Sequence, residues 1–413
     1  MKMSVVEIKK CRISGSENLI TVLDLGVQAL TGVFPKDISA PLTSGPLRLA
    51  WCPDSGLLQL QHSYDLHEMY GDNYGYRSGL NRSMVSHLTQ KVRHLQRLRP
   101  LSSGDVVVDI GSNDATLLKA YDCDGLKRVG IDPTGSKFRE FYTQGIRLIP
   151  DFFSAKAYRS ELQENSASIV TSIAMFYDLE APAAFVKDIH EILASDGVWH
   201  FEQSYMPTML RMNSYDTVCH EHLEYYSLTV VKKLLEDCDM KIIDVQMNSV
   251  NGGSFAVTAA RKQAKLKPND SVIHWMLGQE DRMGLHTPRP FRQFEERVFE
   301  HRENLLRLIR DLNDDGKKIA GYGASTKGNV LLQFCGLTPK DIKCIAEVNS
   351  DKFGAYTPGT NISILSEADV KAMKPDYMLV LPWHFRDSIV QREAEYLASG
   401  GKLIFPFPEI EIV

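Results

Sequence analysis

Two histidines flank a glutamate in the segment Cys219-His220-Glu221-His222, near the middle of the chain. Imidazole can act as a general base near neutral pH because its ordinary pKa is about 6.5, and it is also a common metal ligand. Zinc-binding helices of metalloproteases carry His-Glu-x-x-His, with the histidines one helical turn apart, and the spacing here is different. The segment therefore favours acid–base chemistry over a metal site. A polar loop without chemistry is the remaining alternative.

Composition limits the classes of protein to which the chain can belong. The 413 residues are 43% hydrophobic and 24% charged, with a net charge of −5, which is typical of a soluble protein of two or three domains. The mild acidity argues against a nucleic-acid partner, and no apolar run reaches the roughly 18–20 residues that span a bilayer. The N-terminus has no signal-peptide pattern, and the seven cysteines are scattered. We therefore predict a cytoplasmic protein with reduced thiols and without a membrane partner.

The order of apolar runs predicts the fold class. Runs of strand length, such as 105–110, 127–131 and 168–173, alternate with helical segments, which predicts a parallel sheet covered by helices. Two later runs, 241–246 and 254–258, flank an Asn-Gly-Gly turn and predict an antiparallel pair that closes the sheet edge. The fold class is therefore α/β. Its predicted parts are a small β-rich N-terminal module at 1–75, a central Rossmann-like domain at 76–263, a helical linker at 264–316 and a second, smaller Rossmann-like domain at 317–413.

The first strand of the central domain ends in a pattern typical of nucleotide sites. Asp109 is followed by Gly111 and Asn113 at a turn into a helix, where a glycine lets the backbone approach a ligand and the helix start offers N–H groups. Asp132 lies 21 positions after Gly111, at the end of the next strand, and a carboxylate there can accept both hydroxyls of a ribose.

The third strand end suggests which nucleotide-type ligand binds. Asp151 and Phe152 could hold an adenine, the first by accepting its amine and the second by stacking. A single glycine, Gly111, is present where dinucleotide sites carry Gly-x-Gly-x-x-Gly. S-adenosylmethionine, which has no pyrophosphate, therefore suits this pattern better than NAD. An ordinary α/β turn with a capping aspartate is the alternative.

Four segments together resemble a known family, the C-methyltransferases that act on nucleotide-linked 4-keto-6-deoxy sugars. The resemblance runs in order along nearly the whole chain. The segments are 109–118 (DIGSNDATLL), 219–227 (CHEHLEYYS), 251–255 (NGGSF) and 321–332 (GYGASTKGNVLL). It implies an N-terminal zinc-binding module, a central class I methyltransferase domain that uses S-adenosylmethionine, and a C-terminal Rossmann-like domain that helps to hold the nucleotide sugar.

The resemblance also implies catalytic roles. His222 matches the family's proposed base, with His220 and Glu221 as orienting or oxyanion-contacting neighbours, and Tyr76 matches a tyrosine near the substrate. The base would remove the C3 proton of the sugar, which the C4 ketone acidifies, and the resulting enolate would attack the sulfonium methyl group.

Two positions depart from the family's pattern. Cys219 stands where better-known members have tyrosine, and Asp178 stands where they have a histidine after the fourth strand. Both departures suggest a different branch of the family, with a different sugar configuration or proton path.

The glycine-rich segment at 321–332 predicts the nucleotide-sugar site. Its N–H groups could cradle a pyrophosphate at a helix start, although the order of residues is not that of a Walker A loop. For Lys327 and His384 a solvated surface is the alternative. The predicted substrate contacts are Tyr74, Asn251, Ser254, Gly323, Ser325, Lys327, Glu347 and His384.

The cysteines of the N-terminal module do not complete the family's zinc pattern. The family carries two Cys-x-x-Cys pairs, whereas this chain has Cys11 with Ser14 and Cys52 with Ser55. A serine hydroxyl is a poor zinc ligand because it does not ionise readily. We therefore predict that zinc has been lost. Completion of a site by Asp54, His62 or His67, or simple burial of the cysteines, are the alternatives.

The sequence thus favours a C-methyltransferase that acts at C3 of a GDP- or TDP-linked 4-keto-6-deoxy sugar. The product would be a branched sugar of a lipopolysaccharide, another glycan or a glycosylated natural product. Two alternatives from other classes remain: an NAD-dependent nucleotide-sugar oxidoreductase, and a catalytically silent nucleotide-sugar binding protein.

Overall fold

The computed structural model describes residues 5–65, 77–143 and 145–413, and its strands form four sheets. The predicted α/β class is confirmed, with a β-rich module first, a Rossmann-like sheet in the middle and a second, smaller one at the end. None of the helices in the described residues combines the length and apolar composition needed to cross a membrane.

The N-terminal module is built on a four-stranded antiparallel sheet in the order β11-β4-β3-β2. Its core side chains, among them Leu23, Leu49 and Trp51, are buried. The strands of the module are β1 Val6–Glu7, β2 Ile20–Ala29, β3 Ser44–Trp51, β4 Leu58–Leu60 and β5 His62–Ser63.

The central sheet has seven strands in the order β12-β13-β10-β9-β6-β7-β8. Its elements are α1 Arg82–Leu98, β6 Val106–Ile110, α2 Thr116–Lys119, β7 Lys127–Ile131, β8 Ile146–Ile149, α3 Ala155–Leu162, β9 Ala167–Ile173, α4 Pro182–Ile192, β10 Leu193–Ser204, α5 Met206–Arg211, β11 Glu224–Tyr225, α6 Leu228–Glu236, β12 Met240–Asn248 and β13 Ser254–Arg261. Strands β10, β9, β6, β7 and β8 are parallel. The antiparallel pair β12–β13 closes one edge, as predicted.

Burial on both faces explains the continuous apolar strands of this sheet. All five residues of β6 are buried, and β-branched side chains such as those of Val106 and Val107 suit such strands. One face packs against α1, where Val107 meets Leu95 in one core cluster. The other face carries Trp199 and Phe201, whose rings stack 4.2 Å apart. The carboxyl ends of the parallel strands are therefore rigidly placed.

Two long helices, α7 Asp270–Met283 and α8 Arg289–Asp314, connect the central sheet to the last domain. Both helices lie within the helical linker that the sequence predicts at 264–316. The buried stripe of α8 reaches both neighbours, since Phe291 packs 5.2 Å from the ring of Trp51 in β3 and shares one core cluster with the last sheet.

The last domain has a six-stranded sheet in the order β16-β15-β14-β17-β18-β19, parallel except for β19. Its elements are β14 Ile319–Tyr322, α9 Thr326–Phe334, β15 Ile345–Glu347, β16 Ile364–Ser366, α10 Glu367–Ala372, β17 Tyr377–Val380, α11 Arg386–Arg392, α12 Ala394–Ala398, β18 Lys402–Phe405 and β19 Glu411–Ile412.

The segment that carries the two histidines is attached to the N-terminal module. Strand β11 follows it directly and pairs with β4, with Glu224 opposite Gln59. The amide of Leu60 donates a hydrogen bond of 2.8 Å to the carbonyl of Leu223, whose own amide donates to Tyr177 in the central domain. The segment is thus held by two sheets at once.

Arg12 adds a buried ionic contact to this attachment. Its guanidinium donates to the carbonyl of Leu60 at 2.6 Å and to the hydroxyl of Ser63 at 2.9 Å. Its Nε atom lies 3.7 Å from Glu224 and 3.5 Å from Glu180. Burial raises the pKa of Glu224 well above its usual range, and the charge of Arg12 opposes that rise.

The four positions of the expected zinc site lie together. The Cys11 sulfur is 3.1 Å from the Ser55 hydroxyl, and the Cys52 sulfur is 3.8 Å from that of Ser14. Burial raises the pKa of the Cys52 thiol, but hydrogen bonds from Ser55 and Ser14 outweigh this and lower it overall. A structural zinc ion takes four ionisable ligands, and two thiols with two hydroxyls do not fit it. Loss of the ion remains our prediction.

We predict that the Ser14→Cys/Ser55→Cys double variant binds one zinc per chain, because its four thiols would face one another across the distances already present. Elemental analysis of the purified variant measures this, and a chelator should lower its Tm but not that of the wild type. Ser14→Ala/Ser55→Ala is the matched control and should stay free of zinc. A stoichiometric, chelator-sensitive zinc ion in the wild type would contradict the prediction.

Candidate functional site

The loop after β6 takes the conformation that a nucleotide-type site requires. Gly111 has φ of 72°, and a Cβ at this position would lie 3.3 Å from the Met175 side chain. Asn113 also has positive φ, and its amide donates to Asp132 at 2.7 Å. The loop therefore runs from the end of β6 to the end of β7, where Asp132 fixes it, and Ser112 and Asn113 are buried.

Asp132 holds this loop, whereas Asp109 is hydrogen-bonded to the neighbouring strand β9. The second oxygen of Asp132 accepts the amide and the hydroxyl of Thr134, both at 2.7 Å. Asp109 accepts a hydrogen bond of 2.6 Å from Thr171. Burial raises the pKa of Asp109 to about 7, against the lowering effect of Thr171. Both oxygens of Asp132 thus accept hydrogen bonds from the protein itself, and contact of Asp132 or Asp109 with S-adenosylmethionine stays a prediction.

The expected adenine contacts lie at the same edge of the sheet, after β8. Asp151 and Phe152 are exposed, and the Phe152 amide donates to the Asp151 side chain at 2.7 Å. Both are thus open to a ligand, and their contact with adenine stays a prediction.

His222 is fixed in one tautomer. Its Nδ1 atom lies 2.9 Å from the Thr217 carbonyl, which can only accept, so Nδ1 carries the hydrogen and Nε2 carries the lone pair. The ring packs 4.3 Å from that of Tyr177. Burial, followed by the positive charge of Lys327, lowers the pKa of His222 to about 3. The ring is therefore neutral at physiological pH, with Nε2 as its basic atom.

Glu221 lies between the N-terminal module and the last domain. Its carboxylate is 3.5 Å from the Thr31 hydroxyl, and a Cβ on Gly32 would lie 2.7 Å from Glu221 Oε1 and 3.9 Å from the Thr326 hydroxyl. Burial raises the pKa of Glu221. Burial likewise raises the pKa of Cys219, to whose thiol Glu221 is hydrogen-bonded. Cys219 is therefore a neutral thiol that helps to orient Glu221.

Lys327 brings the glycine-rich segment to the Asn-Gly-Gly turn. Its Nζ atom donates a hydrogen bond of 2.7 Å to the carbonyl of Asn251. The next residue of that turn, Gly252, lies against the last domain, since a Cβ there would be 3.3 Å from Trp383 and 3.9 Å from His384. Two motifs that are separated by more than 70 residues in sequence therefore meet at one place.

Asp216 and His384 complete this group. Asp216 accepts the indole hydrogen of Trp383 at 2.8 Å, and burial raises its pKa while the charge of Lys327 lowers it. Burial and then Lys327 lower the pKa of His384 to about 3. The Nδ1 atom of His384 has no hydrogen-bond partner among the described residues.

Three predicted substrate contacts serve the turns themselves. Ser325 accepts the amide of Gly328 at 3.0 Å and caps α9. Glu347 accepts the amide of Ala324 at 2.9 Å, much as Asp132 accepts that of Asn113. The hydroxyl of Ser254 donates to the carbonyl of Val250. These residues shape the site, and direct contact with a substrate stays a prediction for each.

The remaining predicted site residues differ from one another in where they lie. His220 points away from His222, into the N-terminal module, where its ring packs edge-on at 4.6 Å from Tyr64. Gly323 has φ of 79° and lies against Pro382. Asp178 follows β9, close enough to Cys219 for its charge to raise the thiol's pKa. Tyr74, Tyr76 and the alternative zinc ligand His67 lie outside the described residues.

Sequence reasoning missed three residues that build the site: Asp216, Thr217 and Thr31. Asp216 and Thr217 come shortly before the histidine segment. Thr217 acts through its backbone carbonyl, and the type of a residue does not reveal such a role. Thr31 belongs to a loop that is distant in sequence, and only the packing of α9 against the module reveals it, through a 2.7 Å hydrogen bond from Asn329 to the Thr31 carbonyl.

Models of known families match three successive parts of the chain. Residues 11–70 match the model described as "Putative zinc binding domain", 84–245 that of a methyltransferase domain, and 249–408 that of a C-methyltransferase C-terminal domain. The C-methyltransferase NovU of Streptomyces niveus is 31% identical over 422 residues, which covers 100% of this chain and 99% of NovU.

Solved structures give partial matches. Magnesium protoporphyrin IX methyltransferase from Synechocystis PCC 6803, with bound S-adenosylhomocysteine, is 16% identical and covers 47% of this chain and 91% of its own, with a TM-score of 0.34. A methyltransferase from Aquifex aeolicus that depends on S-adenosylmethionine is 15% identical, covers 43% and 97%, and has a TM-score of 0.31. The family models and the full-length relative decide the assignment. The chain belongs to the C-methyltransferases that use S-adenosylmethionine.

Proposed function

We propose that the protein methylates C3 of a GDP- or TDP-linked 4-keto-6-deoxyhexose through an enolate. The observation that carries this proposal is the Nδ1–H of His222 on the Thr217 carbonyl, which leaves Nε2 as a neutral base beside a cationic side chain. C-methylation needs a carbon nucleophile, and a proton next to a ketone is one that a positioned imidazole can remove. The methyl group comes from the sulfonium of S-adenosylmethionine.

The proposed reaction has two steps, proton abstraction and methyl transfer. Nε2 of His222 takes the C3 proton, and the electrons of the C3–H bond move onto the C4 oxygen. The enolate carbon then forms the new bond to the methyl carbon as the carbon–sulfur bond breaks, leaving a neutral thioether. Glu221 orients the substrate beside His222 and is itself oriented by Cys219. The proton on His222 returns to solvent.

Placement of the substrate follows from the loops that meet at the site. The nucleotide would lie along the glycine-rich loop before α9, whose first-turn N–H groups suit a diphosphate. The sugar would extend towards His222, between the Asn251 turn and Glu221. The product would be a branched sugar for a lipopolysaccharide, another glycan or a natural product. We expect the reaction in the cytoplasm, because all seven cysteines are free thiols.

We predict that His222→Gln slows methyl transfer by at least about 100-fold, because a general base contributes roughly 10²–10⁴ in rate. Exchange of the C3 hydrogen with solvent deuterium should fall equally, while S-adenosylhomocysteine binding, measured by calorimetry, stays unchanged. His220→Gln is the matched control, since its ring packs on Tyr64, and its exchange should stay within a few-fold of wild type. Normal exchange in His222→Gln would show that another group is the base.

The pH profile provides a second test. The pKa of His222 is lowered, so the base form persists as pH falls and is lost only towards pH 3. We therefore predict no inflection of kcat/KM near the ordinary imidazole pKa of about 6.5. Initial rates between about pH 5 and 8 measure this, with Tm followed in the same buffers. A descending acid limb centred near 6.5, with the fold intact, would contradict the assignment.

The contact between Gly32 and Glu221 gives a third test. Gly32→Ala places a methyl carbon 2.7 Å from Glu221 Oε1 and should displace that carboxylate, with a loss of about ten- to hundredfold in kcat because small misplacements are costly. Gly278→Ala is the control, since its Cβ would meet only the Arg282 side chain at 3.6 Å. Wild-type kcat in Gly32→Ala would remove Glu221 from the mechanism.

A further inference from the structure

Lys327 occupies an unusual place for a lysine of a glycine-rich loop. It lies in the first turn of α9, whose start is fixed by the Ser325 cap. Its ammonium does not extend along the loop but crosses to the Asn251 carbonyl of the central domain, at 2.7 Å. An ammonium has three donors, so two remain for a ligand after this hydrogen bond.

The groups around this ammonium are those of the reacting centre. Helix α9 packs against the turn Tyr215–Thr217, whose Thr217 carbonyl holds His222. The charge of Lys327 acts on His222, on His384 and on the buried Asp216. Burial lowers the pKa of Lys327 itself, and Asp216 opposes this by favouring its charged form.

We propose that Lys327 donates a hydrogen bond to the C4 oxygen of the sugar and stabilises the enolate, instead of binding the diphosphate. This inference rests on the proposed function and gives Lys327 a role different from the one we predicted from the sequence. Removal of the C3 proton creates a cation on His222 and an anion on the C4 oxygen. A fixed ammonium beside that oxygen stabilises the negative charge as it develops. The hydrogen bond to Asn251 already orients the ammonium of Lys327.

The Lys327 cation then has two effects of opposite sign on proton transfer. In the resting site it disfavours a proton on His222, which keeps the imidazole neutral but makes it a weaker base. Once the enolate exists, the anion lies between the two cations and offsets their repulsion. The neutral ketone of the substrate is thus bound next to a positive charge that stabilises it most as the C3–H bond breaks, which is the condition for catalysis.

Lys352, which follows β15, is a matched control whose ammonium contacts the same glycine-rich loop. It is also a partly buried lysine that donates to a backbone carbonyl at 2.7 Å, in this case that of Ala324. Its ammonium lies 4.4 Å from the centre of the Phe34 ring. Burial lowers the pKa of Lys352 as it does that of Lys327.

The test compares Lys327→Met, Lys327→Arg and Lys352→Met with the wild type. Deuterium exchange at C3 of TDP- and GDP-linked 4-keto-6-deoxyglucose, followed by NMR at saturating substrate, reports the enolate. Calorimetry with TDP and GDP alone reports the diphosphate site without a ketone. Binding of S-adenosylhomocysteine reports folding of each variant.

We expect Lys327→Met to lose at least about 100-fold in exchange while its affinity for the bare nucleotide stays within threefold. Lys327→Arg should recover part of that loss, and Lys352→Met should exchange at the wild-type rate. Wild-type exchange in Lys327→Met, or a loss explained by weaker nucleotide binding, would overturn the inference alone. No exchange by the wild type with either sugar would reject the proposed function as well.

Discussion

A single hydrogen bond, from Nδ1 of His222 to the carbonyl of Thr217, sets the chemistry of the site, because it decides which nitrogen carries the lone pair. The Thr217 carbonyl can orient the His222 ring only if the turn Tyr215–Thr217 is rigid. Helix α9 and the Trp383–Asp216 hydrogen bond hold the turn from the last domain. The pairing of β11 with β4 holds the other end of the segment from the N-terminal module. Contacts from the N-terminal module and from the last domain therefore cooperate to orient one ring.

The packing of these parts of the chain around His222 also explains the shifted pKa values of the site. Each group that meets there is partly desolvated, so its charged form is disfavoured unless a partner compensates. The imidazoles of His222 and His384 respond by staying neutral, and the carboxyl of Glu221 has a raised pKa. Lys327, opposite Asp216, supplies the positive charge of this group. Such a site favours a reaction in which a neutral ketone becomes an enolate anion, and proton abstraction next to a ketone is such a reaction.

Local patterns predicted the elements of the fold well, and they failed where contacts between distant parts decide. Strands such as β6 and β9 can be predicted from the sequence, because burial on both faces requires continuous apolar runs. Strand β11 has only two residues, and its pairing depends on a partner more than 160 positions away, so no local pattern marks it. The group around His222 was predicted from the resemblance to a known family. His220 was placed with it because it is adjacent in sequence, whereas its ring packs against Tyr64. Lys327 was assigned to a diphosphate because its loop is glycine-rich, and its contact with Asn251 could not be read from either segment alone.

The central claim is transfer of a methyl group to C3 of a 4-keto sugar. The most direct measurement uses S-adenosylmethionine with a ¹³C-labelled methyl group and a panel of GDP- and TDP-linked 4-keto-6-deoxy sugars, with the products analysed by two-dimensional NMR. The account predicts a labelled methyl group bonded to a C3 that no longer carries its original hydrogen. A label on oxygen or at another carbon, or no labelled sugar from any member of the panel, would contradict it.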